Sequence, residues 1–227
     1  MQKWPALKYL HDLGLVSREA FPQLYDHWVE VYDRMRKLRG DDFVPNMGHH
    51  DANIDLILRK CEDEQIGVLD EFGAFMDGGP LFLQIAFSRH WILSSYELLR
   101  TTVAHSHCDS NPKDQQYCCK ADCFRCKLKD VKQEFSAVRM PLAKFEPANL
   151  SGILEASSIK VNHLTPSGDT IAQAYPGHGR YHGEMLFDKD SGALGWSVSR
   201  GKSGEARILG RRELSDLFFQ VIPTDLG

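Results

Sequence analysis

Three groups of residues in this chain have the types and spacing to do chemistry. The first is Arg100-Thr-Thr-Val-Ala-His105. An imidazole can move a proton, and a guanidinium can hold the charge that builds on a phosphorane. The pair therefore suits action on a phosphodiester. On an ideal helix, positions i and i+5 lie about 140° apart. The two side chains converge only if the helix unwinds near His105 or if a second copy of the chain contributes. The plainer alternative is an arginine in an ion pair and a histidine at a frayed helix end.

The second group is the thiols. Of six cysteines, Cys61 stands alone, while Cys108, Cys118, Cys119, Cys123 and Cys126 crowd into one segment. A zinc ion takes four soft ligands in a tetrahedron, and a C-x2-C turn offers two of them. Cys108, Cys119, Cys123 and Cys126 form the candidate set, with His105 and His107 close by. A closed structural site fits better than a catalytic one, because metal would order a loop too polar to build its own core. The adjacent Cys118-Cys119 pair and the x3 spacing to Cys123 depart from common zinc motifs. The alternative is an insertion that is rich in thiols and binds nothing.

The third group is Gly177-His-Gly-Arg-Tyr-His-Gly183. Glycines let backbone approach a ligand closely, and His178, Arg180 and His182 are candidate anion-binding residues. Arg200, Lys202, Arg207, Arg211 and Arg212 make the same lobe locally basic, so a phosphate or an RNA backbone could rest on it. A polar hairpin rim explains the same residues. Gly201-Lys202-Ser203 lacks the upstream glycine of a P-loop, and no serine sits in a nucleophile elbow.

The elements that must position these groups are mostly helical. The stretch 81–107 is the most apolar. Its apolar residues fill most directions of a helical wheel, which marks a central helix covered by its neighbours. Before it, the pattern predicts a short helix over 4–13 that stops near Gly14. A long helix follows from an N-cap at Ser17, with Pro22 in its first turns and Gly40 as its stop. Residues 41–51 read as a loop in which His49, His50 and Asp51 resemble metal ligands only on paper, because neighbouring residues point apart. Asp51 or Asn53 then caps a helix from residue 53. After the Cys-rich insertion at 107–127, helical spacing returns from Leu128, with Pro141 expected to kink or end it. Arg139 there needs a partner such as Glu97.

From residue 157 the pattern changes to short strands, with Asp188-Lys-Asp-Ser-Gly192 as a hairpin turn. An amphipathic helix closes the chain, with Leu214, Leu217, Phe218 and Val221 on one side. The expected fold is mainly α (α+β): a bundle of about five helices, then a small antiparallel sheet and a C-terminal helix. Residues 1–150 form the bundle, and 151–227 form the sheet and closing helix, packed with it as one unit.

Composition sets bounds on partners. The 227 residues are 42% hydrophobic and 26% charged, with a net charge of −4. That balance gives no global attraction to nucleic acid or to an anionic membrane, although a local basic patch remains open. Arg89, His90, Glu97 and Arg100 interrupt the most apolar stretch, and the first residues lack the apolar core of a secretory signal. The expectation is a cytoplasmic chain with no membrane partner.

The Arg100-x4-His105 motif resembles the Arg-x4–6-His signature of the HEPN superfamily of helical-bundle proteins, common in toxins and defence systems. The resemblance spans at most residues 17–149. It implies a metal-independent ribonuclease site at a dimer cleft, carried here by Arg100 and His105, with RNA as substrate and a homodimer as the active form. Family members often have Asn, Asp or His after the arginine, where this chain has Thr101. The second functional expectation is a non-enzymatic protein-interaction module, stabilised by a structural zinc in the Cys-rich loop.

Overall fold

A computed structural model describes residues 5–40, 43–66, 79–106, 123–144, 158–164, 170–176, 185–188, 190–200 and 205–221. Helices α1 (Pro5–Ala20), α2 (Pro22–Arg39), α3 (Phe43–Gln65), α4 (Gly79–Ala104) and α5 (Phe124–Lys144) come first. Strands β1 (Ser158–Leu164), β2 (Thr170–Pro176), β3 (Met185–Phe187), β4 (Leu194–Arg200) and β5 (Glu205–Gly210) follow, and helix α6 (Arg211–Gln220) ends the order. The fold is mainly α, as the patterning predicts. The strands make two sheets: an antiparallel β1–β2 pair, and an antiparallel β3–β4–β5 sheet with β4 in the middle.

Several boundaries differ from expectation, each for a local reason. Helix α1 runs through Gly14, and Ser17 sits inside it, its hydroxyl donating to the Leu13 carbonyl at 2.7 Å. A helical glycine costs about 1 kcal/mol against alanine, too little to stop a helix that good formers continue. The break comes at Phe21, because proline disfavours helical backbone in the residue before it. Phe21 has φ −133° and ψ 56°, and Pro22 opens α2, where its missing N–H is no loss. Gly40, at φ 72°, ends α2 in the left-handed conformation.

Helix α3 starts at Phe43, eight to ten residues ahead of the expected cap at Asp51 or Asn53, and so absorbs most of the expected 41–51 loop. Pro45 lies in its first turn, where helix N–H groups have no partner to lose. Helix α5 begins at Phe124, which moves Cys123 and Cys126 out of the insertion and onto a helix start; it also continues past Pro141.

The core sits where α2, α4, α5 and α6 meet. Trp28, Trp91, Phe135 and Phe218 are fully buried there, with ring centroids 4.9 Å apart for Trp28–Phe218, 5.4 Å for Trp91–Phe135 and 5.3 Å for Phe135–Phe218. Tilted and edge-on rings at such spacings add about 0.5–1.5 kcal/mol per pair beyond area burial. Strand β4 sends Leu194, Trp196 and Val198 into the same core, and β5 sends Leu209. The closing helix joins it through Leu214 and Phe218. The β3–β5 sheet and α6 therefore share one core with the helices.

Gly192 locks the hairpin to the bundle. It is buried at φ 66°, and a Cβ there would stand 2.0 Å from the Glu62 carbonyl oxygen of α3. Gln84 of α4 donates to the Gly192 carbonyl at 2.9 Å from the other side. Only glycine has both the backbone freedom and the missing side chain this contact requires.

Helix α4 is less enclosed than its composition predicts. Gln84, Ser88, Trp91, Ile92, Ser95, Leu98, Leu99, Thr102 and Val103 are buried, but Leu83, Ala86, His90, Arg100 and Ala104 are exposed. With the half-buried Leu93 and Glu97 between them, these recur at alternating steps of three and four. They fall within about 100° on one side of the helix.

Candidate functional site

Arg100 and His105 both lie at the C-terminal end of α4 and both are exposed. Arg100 Nε donates to Glu97 Oε2 at 2.6 Å, one turn back. Arg139 of α5 reaches the other oxygen of Glu97 at 3.7 Å and stacks over the Tyr96 ring at 5.0 Å. The expected Arg139–Glu97 pairing is thus present. The His105 amide still donates to the Thr101 carbonyl at 3.0 Å, so the helical ladder reaches His105. Within one chain the ladder holds the two positions in the divergent directions of an i, i+5 pair.

Arg125 covers the C-terminal end of α4. It is buried at the start of α5, and donates to the carbonyls of Ser106 at 3.0 Å and Val103 at 3.1 Å. A guanidinium on these terminal carbonyls satisfies orphan acceptors and complements the negative helix end. The last turn of α4, which carries Arg100 and precedes His105, is therefore held rigidly against α5.

Of the candidate zinc ligands, Cys108 and Cys119 lie outside the described residues. Cys123 is buried just before α5, and Cys126 lies one turn along it, with their thiols hydrogen-bonded. Burial and the neighbouring Cys123 thiol push the Cys126 thiol above its usual range. Among the described residues no group of three or more His, Cys, Asp or Glu could hold a metal ion. His178, Arg180 and His182 also lie outside the described residues. Of the basic side chains expected in the same lobe, those of Arg200 and Lys202 are outside the described set, and the other three are committed elsewhere. Arg207 is bonded to Glu134 of α5, Arg212 to Asp63 of α3 at 2.6 Å, and Arg211 is fully buried.

Arg211 centres the strongest electrostatic feature of the described chain. Its Nε and Nη2 donate in fork fashion to both oxygens of Glu62, and its Nη1 donates to Asp55 Oδ1 at 2.5 Å. The guanidinium lies 5.5 Å from the Trp91 ring centroid. Asp55 Oδ2 accepts from Trp28 Nε1 at 2.9 Å and from Arg59 Nε at 3.1 Å. Arg59 extends to Ser215 at 2.8 Å and to Asp216 of α6. All four central charges are nearly or wholly buried. Burial opposes ionisation of Asp55, but Arg59 and Arg211 outweigh it and hold the carboxyl below its usual range. Burial keeps Glu62 above its usual range despite Arg211. Each acceptor meets a matching donor, the condition under which a buried ion network survives desolvation.

Beside this network lies a buried carboxyl with no such match. Asp51 accepts from Ser94 at 3.0 Å. Burial, opposed by the Ser94 and Ser95 hydroxyls and reinforced by Asp55, pushes it up to about 7. Burial and the same two aspartates push the Tyr32 hydroxyl well above its usual range.

Sequence reasoning missed this cluster. A signal was present: Asp51, Asp55, Arg59 and Glu62 recur at helical spacing with Leu58 and so share the core side of α3. Charges on an apolar side imply buried partners, but their partner Arg211 lies 149 residues from Glu62.

Comparison with known proteins adds no relative: no family model matches the chain, and no curated protein and no solved structure matches it.

Proposed function

We propose that this chain is a HEPN-like, RNA-directed protein that works as a homodimer, a metal-independent endoribonuclease of the toxin or defence kind. The observation that carries the reading is the exposed stripe on α4. Leu83, Ala86 and His90 lie toward one end, Arg100 and Ala104 toward the other, and His105 follows. Steps of three and four along an exposed helix are the spacing of a seam for a second helix, and small residues such as Ala86 and Ala104 let it come close. A second copy seated there with its α4 running parallel would bring its own Arg100 and His105 to those of the first, which removes the divergence within one chain.

The reaction that suits these groups is transesterification. The His105 imidazole takes the proton of a ribose 2′-hydroxyl as that oxygen attacks the adjacent phosphorus. Arg100 turns from Glu97 to the phosphorane oxygens. The bond to the 5′-oxygen breaks, and that oxygen takes a proton from the second histidine of the dimer. The products are a 2′,3′-cyclic phosphate and a 5′-hydroxyl. Purified protein in excess EDTA should cut mixed RNA and sediment as a dimer, and His105→Ala should remain dimeric and not cut. No cutting by the wild type, or equal cutting by both, would sink the reading.

A second reading is favoured by the positions of Cys123 and Cys126. Two thiols one turn apart at a helix start fit half of a tetrahedral zinc site, and Cys108 and Cys119 would complete it. The chain would then be a non-enzymatic interaction module with a structural zinc. One zinc per chain, lost in Cys126→Ser, is the expected result; a metal-free protein contradicts it.

A further inference from the structure

Independently of α4, the structure assigns a second binding site to the cleft between the outer face of the β3–β5 sheet and α6. We propose that it takes an arginine side chain presented by an extended segment of a partner protein. The cleft has a volume of about 670 Å³. That falls within the roughly 300–1,000 Å³ typical of ligand pockets.

Its floor exists because side chains are missing. Leu186, Gly195 and Gly210 face one another across the three strands. Two of the three positions in that row are glycine, so the sheet surface drops to backbone there. A Cβ on Gly195 would stand 2.8 Å from Ile208 Cγ2, on the adjoining row. Ile208 is 58% exposed, although it lies in a strand whose next residue, Leu209, is fully buried. Leu186, Phe187 and Leu217 add apolar wall, which suits the methylene stem of a long side chain.

Charge selects the cation. Four charged residues line the cleft: Asp188, Arg212, Glu213 and Asp216. Arg212 is neutralised by Asp63, and Asp216 is bonded to Arg59. Among the described residues Asp188 accepts from the Ser191 hydroxyl at 2.6 Å and the Asp190 amide at 3.1 Å, and Glu213 weakly from the Gly210 amide at 3.4 Å. Among the described residues neither carboxylate has a cationic partner. One stands on the hairpin wall and the other on the α6 wall. A planar guanidinium, with five donors in a fixed fork, can pair with a carboxylate on either wall while its stem lies on the apolar wall, which a compact ammonium does less well. An anion is disfavoured although α6 begins here, because Glu213 already occupies its first turn.

The test uses the whole protein, uniformly 15N-labelled, and the capped tripeptide acetyl-Leu-Arg-Leu-amide. Controls are the same peptide with citrulline, which keeps the shape and removes the charge, and free agmatine. The arginine peptide should shift the Gly195 and Gly210 amide signals saturably, and the citrulline peptide should bind at least about tenfold more weakly. Asp188→Asn combined with Glu213→Gln should weaken the arginine peptide by a similar factor. Gly195→Val should abolish the glycine shifts while the remaining spectrum stays dispersed, since Ile208 can swing aside. Equal binding of the citrulline peptide, or no saturable shift at these glycines, overturns the proposal. Agmatine binding as tightly as the peptide overturns the partner segment as the occupant.

Discussion

Arg100 and Arg211 are the same residue in opposite settings. Arg100 stands on an exposed stripe, with its side chain 51% accessible and one partially exposed glutamate as its ion-pair partner. Arg211 is completely buried, fork-bonded to one carboxylate and bonded to a second. The first pair is screened by water and worth at most about 1 kcal/mol to the fold, so breaking it to bind a phosphate, as the proposed function requires, would cost little. The second has displaced all its water, and no ligand can reach it. The difference teaches that the cation with the stronger bonds is the structural one. The weakly held cation is the one a ligand could reach, and it is the one the proposed function uses.

The sharpest way to break this comparison is to remove the buried cation. Arg211→Ala leaves Glu62 and Asp55 as uncompensated buried carboxylates, and should destabilise the protein by about 3–5 kcal/mol in denaturant titrations. A loss below about 1 kcal/mol would mean that the network is solvated in solution.

Asp51 sharpens the comparison from the other sign. Its carboxyl, raised to about 7 in the fold, sits near 4 in the unfolded chain. A raised group contributes stability that is fully present below the unfolded value and lost as pH rises through the folded value. Stability should therefore fall between about pH 4 and pH 7, by at most ~4 kcal/mol. Asp51→Asn removes this loss. It should be the more stable protein at pH 8 and indistinguishable from wild type at pH 4. Parallel stability curves for the two proteins would contradict the buried, unpaired state of Asp51.

Gly192→Ala tests how tightly the hairpin is tied to the network. It combines a left-handed backbone with a collision against Glu62 backbone, and should cost ~2–3 kcal/mol, read as a lowered denaturant midpoint. Glu97→Ala, by contrast, should change stability by less than ~1 kcal/mol. Under the proposed function it should leave RNA cleavage intact, because Glu97 holds Arg100 and Arg139 only in the free protein and takes no part in the reaction.

The order of elements was legible in the chain, and so was much of the core. Helical spacing through Trp28, Val31 and Met35, and through Leu214, Leu217 and Phe218, marks faces that do pack together. The Asp188–Gly192 turn and the Arg139–Glu97 pair were also readable, because both are local in sequence or tied to an obvious charge. Boundaries were less so. Gly14 reads as a stop and Pro22 as a passenger, yet the proline makes the break. The stretch from Phe43 reads as a loop for its glycine, proline and histidines, but α3 packs against α1, α2 and α4 and is helical regardless. The Arg100–His105 motif was visible because its spacing is short. The Asp55–Glu62–Arg211 cluster was not, because its halves are separated by most of the chain and no local pattern couples them. The glycine-floored cleft was equally hidden, since the pairing of Gly195 with Gly210 follows from strand register and not from either neighbourhood.

The most direct measurement is RNA cleavage by Arg100→Ala in excess EDTA, on protein whose melting temperature is recorded first. Loss of a weak exposed ion pair should move the melting temperature by no more than about 4 °C. Cleavage should fall by at least about a hundredfold, as expected for removal of a transition-state donor. Unchanged cleavage, or cleavage lost only together with the fold, would contradict the division of labour between Arg100 and Arg211.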